Sequence, residues 1–403
     1  MASGSSGGPL RLIIDDNSGI LQYGPQEWTF LTYPQWYAGG ATFPVFAMPG
    51  ATNTSSTDPM GSFSLTFEGT SIAFVGNTPA PPSLQSFLIT IDGNAQYQSS
   101  CGDLTPPSYM QWYQSPLLAE GTHTIVVDQI AGTSVDYAIV TAGLNTPLIG
   151  MTAIVDNDDP SVQFTGDWMR NTDQFDSGSV PDGLPYRNST HRSSTPGDTA
   201  LFRFQGTSLA IYGIFSWFNT GILSVTYDLD GDVTPQTYTA TTTSPEYLSY
   251  QGDSPNFPFM LYENIPAGEH TLTITVTRCI NQTFTLDYLT YSPSFPTLLE
   301  SGNLSDPIST VSAQPTATIA IPTTISTSIK ASISTTPISP ASSPASSPAT
   351  GSSGKGNGML AIPGLVIILV AIVFLLLEAR FAPNSNNPSS APVKAGPDSS
   401  SLS

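Results

Sequence analysis

The sequence predicts an all-β chain: two tandem antiparallel β-sandwiches, then a disordered stalk and one transmembrane α-helix. Three observations carry this reading. Five sequence blocks recur in the same order across residues 12–296. Within the blocks, apolar residues alternate with polar ones at period two. The composition is also poor in helix formers, since only 10% of the 403 residues are charged, against 34 Gly and 36 Pro.

Module one is expected at 12–146. It opens on Ile13, Ile14, Asp15 and Asp16 and continues through Ile20, Tyr23, Gly24 and Trp28. Phe63, Leu65 and Phe67 alternate with Ser64 and Thr66, and Ile72 and Phe74 follow a Glu68-Gly69-Thr70 turn. Another strand ends at Ile91-Asp92-Gly93, and Gly121, His123, Thr124 and Ile125 open the next. Val135, Asp136 and Tyr137 form the last block. Module two, at 151–296, repeats each feature. Ile154, Val155 and Asp156 lead to Trp168, and Phe204-x-Gly206-Thr207-Ser208 leads to Leu209 and Ile211. Leu229-Asp230-Gly231, then Gly268-x-His270-Thr271, then Leu286-Asp287-Tyr288 complete the series. The linker Thr146 to Met151 is short, so the modules are expected to touch.

The stalk is expected at 301–354. Of these residues 24 are Ser or Thr and seven are Pro, with Asp306 and Lys330 as the only charges. Such a stretch buries too little apolar surface to offset its chain entropy, and reads as an O-glycosylated stalk or an unmodified linker. Residues 359–377, MLAIPGLVIILVAIVFLLL, carry no charge. At about 1.5 Å per residue they span roughly 28 Å, close to the hydrocarbon thickness of a bilayer. A short disordered tail, 378–403, is expected on the cytoplasmic side. The sequons at Asn53, Asn188, Asn281 and Asn303 all precede the helix, which places residues 1–358 outside the plasma membrane. The N-terminus shows no apolar leader. Two readings follow: a start upstream of Met1, or a tail-anchored chain with cytosolic domains.

The F-x-G-T-S-[IL]-x-[FIV]-x-G strand pair, the D-G turn, the G-x-H-T strand and the final [VL]-D-Y strand resemble galactose-binding-like jelly-roll modules. With the stalk and the helix, the layout over 12–380 resembles that of fungal single-pass surface proteins carrying two such modules. The resemblance implies display at a cell surface, for which a glycan-binding or adhesion role is the expectation. It also implies a structural Ca²⁺ held by acids near the first strand and an Asp of the last. Those are Asp15, Asp16 and Asp136 in module one, and Asp156 and Asp287 in module two. The competing expectation is that Asp136 and Asp287 bond a buried backbone group or a Tyr hydroxyl.

Charge narrows the partners. A net charge of −20, and no Lys or Arg between Leu12 and Met169, exclude nucleic acid and phosphate clamps. They favour neutral over anionic cell-wall glycans. Sugars offer C–H faces to aromatic rings, so the candidate binding residues are loop aromatics that do not recur between copies. These are Trp36 and Tyr37, Trp112 and Tyr113, and Phe215 and Trp217 with Phe218. Trp36 and Trp217 are the first choices. Trp28 and Trp168 do recur, and are assigned to the cores. His123 and His270 also recur, and are expected to cap a sandwich edge by bonding a carbonyl. Neither G-x-S-x-G nor H-E-x-x-H occurs, and adjacent acids such as Asp15–Asp16 or Asp158–Asp159 point to opposite strand faces. A membrane-tethered hydrolase is therefore the weakest reading. A wall protein of structural or sensor type, without a discrete ligand, is the main alternative. Cys101 and Cys279 do not fall at equivalent positions, which leaves a bridge between modules or two thiols open.

Overall fold

The computed structural model describes residues 9–24, 28–44, 61–78, 86–101, 108–178 and 181–301. The stalk beyond Ser301, the expected membrane helix, the tail, Asn53 and Asn303 lie outside the described residues. Among the described residues no helix is long and apolar enough to cross a membrane.

The described chain is all-β and antiparallel. The first half contains β1 (Arg11–Asp15), β2 (Gln22–Tyr23), β3 (Trp28–Thr32), β4 (Gly40–Pro44), β5 (Gly61–Gly69), β6 (Ser71–Asn77), β7 (Ser86–Ile91), β8 (Tyr97–Ser100), β9 (Tyr109–Gln114), β10 (Gly121–Ile130) and β11 (Tyr137–Thr141). The second contains β12 (Thr152–Asp156), β13 (Val162–Thr165), β14 (Met169–Asn171), β15 (Thr190–Ser193), β16 (Thr199–Ser216), β17 (Gly221–Leu229), β18 (Asp232–Ala240), β19 (Asp253–Tyr262), β20 (Gly268–Ile280) and β21 (Phe284–Pro293). A single helical turn, α1 (Pro245–Leu248), sits before β19.

In the first half a five-stranded sheet, β2-β5-β10-β7-β8, packs on strands ordered β1-β11-β6-β9. Phe63, Leu65, Phe67, Ile125 and Val127 of one layer meet Leu12, Ile14, Ile72, Phe74 and Val140 of the other in a shared core. Full burial of such side chains contributes about 1.5–3 kcal/mol each. The second half repeats the pairings: β12 with β21, β21 and β19 with the end of β16, and β20 with the start of β16 and with β17. One difference matters. The segment read as a Glu68-Gly69-Thr70 turn is a corner, because β5 pairs with β10 while β6 pairs with β11. In the second half the same corner is absorbed within the 18-residue β16, at a register shift between Gly206 and Leu209. Gly69 and Gly206 serve the corner by small size, since a Cβ would strike the Thr141 and Ser292 carbonyls.

The two halves are joined by more than a linker. β1 pairs antiparallel with β12 (Arg11 with Ile154, Leu12 with Ala153, Ile13 with Thr152), so one sheet runs through both. Its second face is also covered. Ile13, Val75, Tyr137 and Ile139 of the first half share a second cluster with Ile154, Phe175, Tyr186 and Tyr288, roofed by Tyr33 and Trp36. A buried polar chain crosses the same boundary. Tyr109 donates to Asp136 Oδ2 (2.5 Å), Asn256 Nδ2 donates to Tyr109 Oη (3.1 Å) and to the Gln35 carbonyl (3.0 Å), and Tyr288 donates to Asn256 Oδ1 (2.8 Å).

Candidate functional site

The recurring residues turn out to be structural. Asp92 and Gly93 both have positive φ, as do Asp230 and Gly231, which is the tight hairpin turn that D-G favours. From that turn Asp92 reaches back to His123. Nδ1 of His123 donates to Asp92 Oδ2 (2.7 Å), Nε2 donates to the Ala119 carbonyl (2.7 Å), and the Thr124 N–H donates to Asp92 Oδ1 (2.9 Å). His270 repeats this with Asp230 (2.6 Å), the Pro266 carbonyl (2.8 Å) and the Thr271 N–H (2.7 Å). Both ring nitrogens face acceptors, an arrangement that favours the protonated ring. The Asp92 hydrogen bond raises the His123 pKa. For His270, burial lowers it, but Asp230 and the Pro266 carbonyl outweigh that and the net shift is upward.

Of the acids proposed for calcium, Asp16, Asp136, Asp156 and Asp287 are buried bonding groups and Asp15 is partly buried. Asp136 Oδ2 accepts the Tyr37 N–H (3.1 Å) and the Tyr109 hydroxyl, and Asp287 Oδ2 accepts the Tyr186 N–H (3.2 Å). This matches the competing expectation of backbone and hydroxyl partners. Asp16 Oδ2 accepts from Thr42, and Asp156 pairs with Arg187 (2.9 Å). Among the described residues no set of three or more His, Cys, Asp or Glu side chains is arranged to hold a metal. The donors do not fit a Ca²⁺ shell of 6–8 oxygens. Burial instead pushes Asp136 and Asp287 well above the ordinary carboxylate range, Asp15 upward, and Asp16 up to about 7. Asp156 sits at about 6, raised by burial against the pull of Arg187.

Most of the aromatics expected in loops are core residues. Trp36 is 2% exposed, wedged against Tyr33 and Phe43 on the roof of the shared sheet. Tyr37 is half-buried against Tyr137 and Tyr212. Trp112 and Tyr113 belong to β9, both buried against Phe74 and Phe87. A bulge explains how adjacent residues share a face. Phe74 pairs with Tyr113 and Val75 with Gln111, which leaves Trp112 as the extra residue. Phe215 is fully buried beside Phe257. Trp36, Trp112, Tyr113 and Phe215 offer no open ring face and are corrected from ligand candidates to packing, while Tyr37 keeps part of its surface accessible.

Trp217 and its neighbour Phe218 differ. Trp217 is half-buried, its Nε1 donating to Ser254 Oγ (3.0 Å) and its N–H to the Gly252 carbonyl (2.9 Å). Phe218 is 43% exposed and lies over Gly252, where any Cβ would collide with its ring. Tyr250, two residues away, is 76% exposed and held at φ 58°. A bulky residue in the left-handed region is strained, and such strain gathers at ligand sites. Between them Gln251 is buried, with Oε1 lacking any hydrogen bond. The carboxylates of Asp176 and Asp253 flank this loop, Asp253 accepting the Asp176 N–H (3.2 Å). Sequence reasoning missed Tyr250 and Gln251. Their one signal is an aromatic pair, Tyr247 and Tyr250, in an otherwise polar segment between β18 and β19. The apolar cavity of about 220 Å³ lined by Leu12, Ile14, Phe67, Val140 and Met151 lies elsewhere, at the junction of the halves.

Of the sequons within the described residues, Asn188 and Asn281 are both exposed and at positive φ. Cys101 lies in the first-half core and Cys279 on β20, and no disulfide joins them. Sequence reasoning also missed two ion pairs in the second half, Arg170 with Asp158 (2.6 Å) and Arg187 with Asp156 (2.9 Å).

No family profile and no curated protein matches the chain. Solved structures do resemble it. A Paenibacillus xanthan lyase is 13% identical at a TM-score of 0.26, covering 72% of this chain and 27% of that one. The catalytic domain of a GH87 α-1,3-glucanase is 17% identical at 0.22, covering 35% and 28%. The insecticidal crystal protein Cry2Aa is 12% identical at 0.23, covering 72% and 52%. The chain spans about half or less of each of these structures, and at such TM-scores the likeness carries no argument about function.

Proposed function

We propose that this chain is a single-pass surface protein whose two jelly-roll modules act as one unit that binds neutral glycans without catalysis. The binding face is in the second half: Phe218 and Tyr250 supply stacking surfaces, Trp217 supports them, and Gln251, Asp176 and Asp253 supply polar groups for hydroxyls. The observation that carries the reading is the exposed ring of Phe218 over Gly252, beside a strained, exposed Tyr250 and a buried amide oxygen without a partner. The acidic surface supports neutral over anionic sugars. The serine- and threonine-rich stretch and the apolar 359–377 segment support display at a membrane.

Titration of the protein with neutral wall glucans, followed by calorimetry, tests it. Phe218→Ala or Tyr250→Ala should each weaken binding by about 1–2 kcal/mol, roughly tenfold, as expected for loss of a stacking ring. Trp36→Ala should act through stability alone. Wild-type protein that binds no glucan at millimolar sugar would leave the structural wall protein as the better reading.

A further inference from the structure

We infer that the aromatic face of the second half is seated by the chain's own N-glycan at Asn281. The inference shares this face with the proposed function and adds an occupant to it. The turn that joins β20 to β21 carries the sequon Asn281-Gln282-Thr283. It is fastened to the loop that presents Phe218. Asn281 Nδ2 donates to the Thr220 carbonyl (2.9 Å), and the Thr220 N–H donates to the Phe218 carbonyl (3.2 Å). Gln282, which is buried, donates from Nε2 to the carbonyls of Ser216 (2.9 Å) and Asn219. Gly221 closes against this turn so tightly that a Cβ would strike the Ile280 carbonyl. Asn281 itself is exposed and holds φ 48° in the turn between β20 and β21.

Two hydrogen bonds therefore separate the acceptor nitrogen from the backbone of an aromatic residue that is 43% exposed. The chemistry of attachment leaves this geometry intact. Transfer forms a bond from Asn281 Nδ2 to the anomeric carbon of an oligosaccharide. The bond from that carbon to a lipid diphosphate oxygen breaks, the diphosphate keeps the electron pair, and Nδ2 loses one proton. The remaining Nδ2 hydrogen still donates to Thr220, which fixes the direction of the first sugar beside Phe218. Asn188, by contrast, ends a short turn beside Arg187, and its neighbour Ser189 donates to Asp158.

The test uses the full chain, made in a eukaryotic host behind a cleavable secretion leader. Six forms are compared: wild type, Phe218→Ala and Phe218→Trp, each with and without Thr283→Ala. Peptide mass spectrometry should find Asn281 occupied in wild type and bare in Thr283→Ala. Loss of the glycan should lower the melting temperature by about 2 °C in the Phe218 background. It should cause no drop in Phe218→Ala, while Phe218→Trp should restore the effect. An equal drop with and without Phe218, or an empty Asn281 where Asn188 is occupied, overturns the inference. Thr283→Ala should also bind neutral glucan several-fold more tightly than wild type, because the self-seated sugar is gone. If it binds none, the proposed glucan-binding function fails, while the melting comparison still decides the seat.

Discussion

Replacing Asp16 with Asn should remove much of the protein's alkaline instability. Asp16 follows β1, is 1% exposed and accepts from Thr42, while its Oδ1 has no hydrogen-bond partner. Burial raises its pKa from 3.8 to about 7. The unfolded chain therefore releases this proton more readily than the folded one. Stability is greatest below the unfolded value, falls as pH rises past it, and stops falling above the folded value. Between pH 5 and pH 8 this residue alone should cost about 2–3 kcal/mol, at about 1.4 kcal/mol per pH unit over the two units in which the proton is bound only when folded. For a protein of this size that is roughly 5 °C in melting temperature. Asn cannot ionise, and its amide oxygen still accepts from Thr42. The second half already uses this solution: Asn157 occupies the matching place, its N–H bonding the Asp287 carbonyl as that of Asp16 bonds the Asp136 carbonyl. Calorimetry of wild type and Asp16→Asn at pH 5 and pH 8 decides the matter. A variant that keeps the full pH gap, or loses the same stability at both pH values, refutes the argument.

Four further outcomes are expected. His123→Gln and His270→Gln should each destabilise by about 1 kcal/mol below pH 6. That loss should fade at alkaline pH, because the raised histidine pKa gives stability present below the unfolded value and lost as pH passes the folded one; urea titrations across pH check it. Arg187→Ala removes the counter-charge of buried Asp156, and the exposure of the guanidinium keeps the cost near 1–2 kcal/mol, greater at pH 8 than at pH 5 in the same assay. The two halves should unfold in one transition, with calorimetric and van't Hoff enthalpies equal, because one sheet and one aromatic cluster cross the junction; two resolved peaks would contradict this. Tyr288→Phe should cost about 1–2 kcal/mol by leaving Asn256 Oδ1 unbonded, measured by denaturant unfolding.

How far these features could be read beforehand varied with the physics behind them. Strands with one wet face were plain, as in Phe63, Leu65 and Phe67 alternating with Ser64 and Thr66. The fusion of the two halves left a fainter mark. Leu12, Ile13 and Ile14 are all buried, as are Ala153, Ile154 and Val155. An unbroken apolar run of this kind belongs to a strand covered on both faces. Trp36 misled because a glycine-rich neighbourhood looks like an open loop, whereas here it lets the ring fold back onto the sheet. Trp112 misled because a bulge overrides alternation. Tyr250 could not have been found by pattern, since its exposure rests on a positive φ and on contacts with residues distant in sequence.

The position of β21 bears on how the protein would carry a mechanical load. This is the last strand before the described residues end at Ser301, yet it is not at an edge: β12 and β15 hold it on one side and β16 on the other. Tension applied from beyond Ser301 would first meet the backbone bonds that tie Ser294 to Gln205, Pro296 to Leu148 and Leu299 to Leu144, and would reach β21 once they gave way. It would meet the flanking ladder bonds in shear, all strained together, rather than peeling them off singly. Because β12 is in turn paired with β1, the pull spreads into the first half before any strand can slip. A tether fixed at this end would grip the centre of the sheet, the place from which a strand is hardest to draw out.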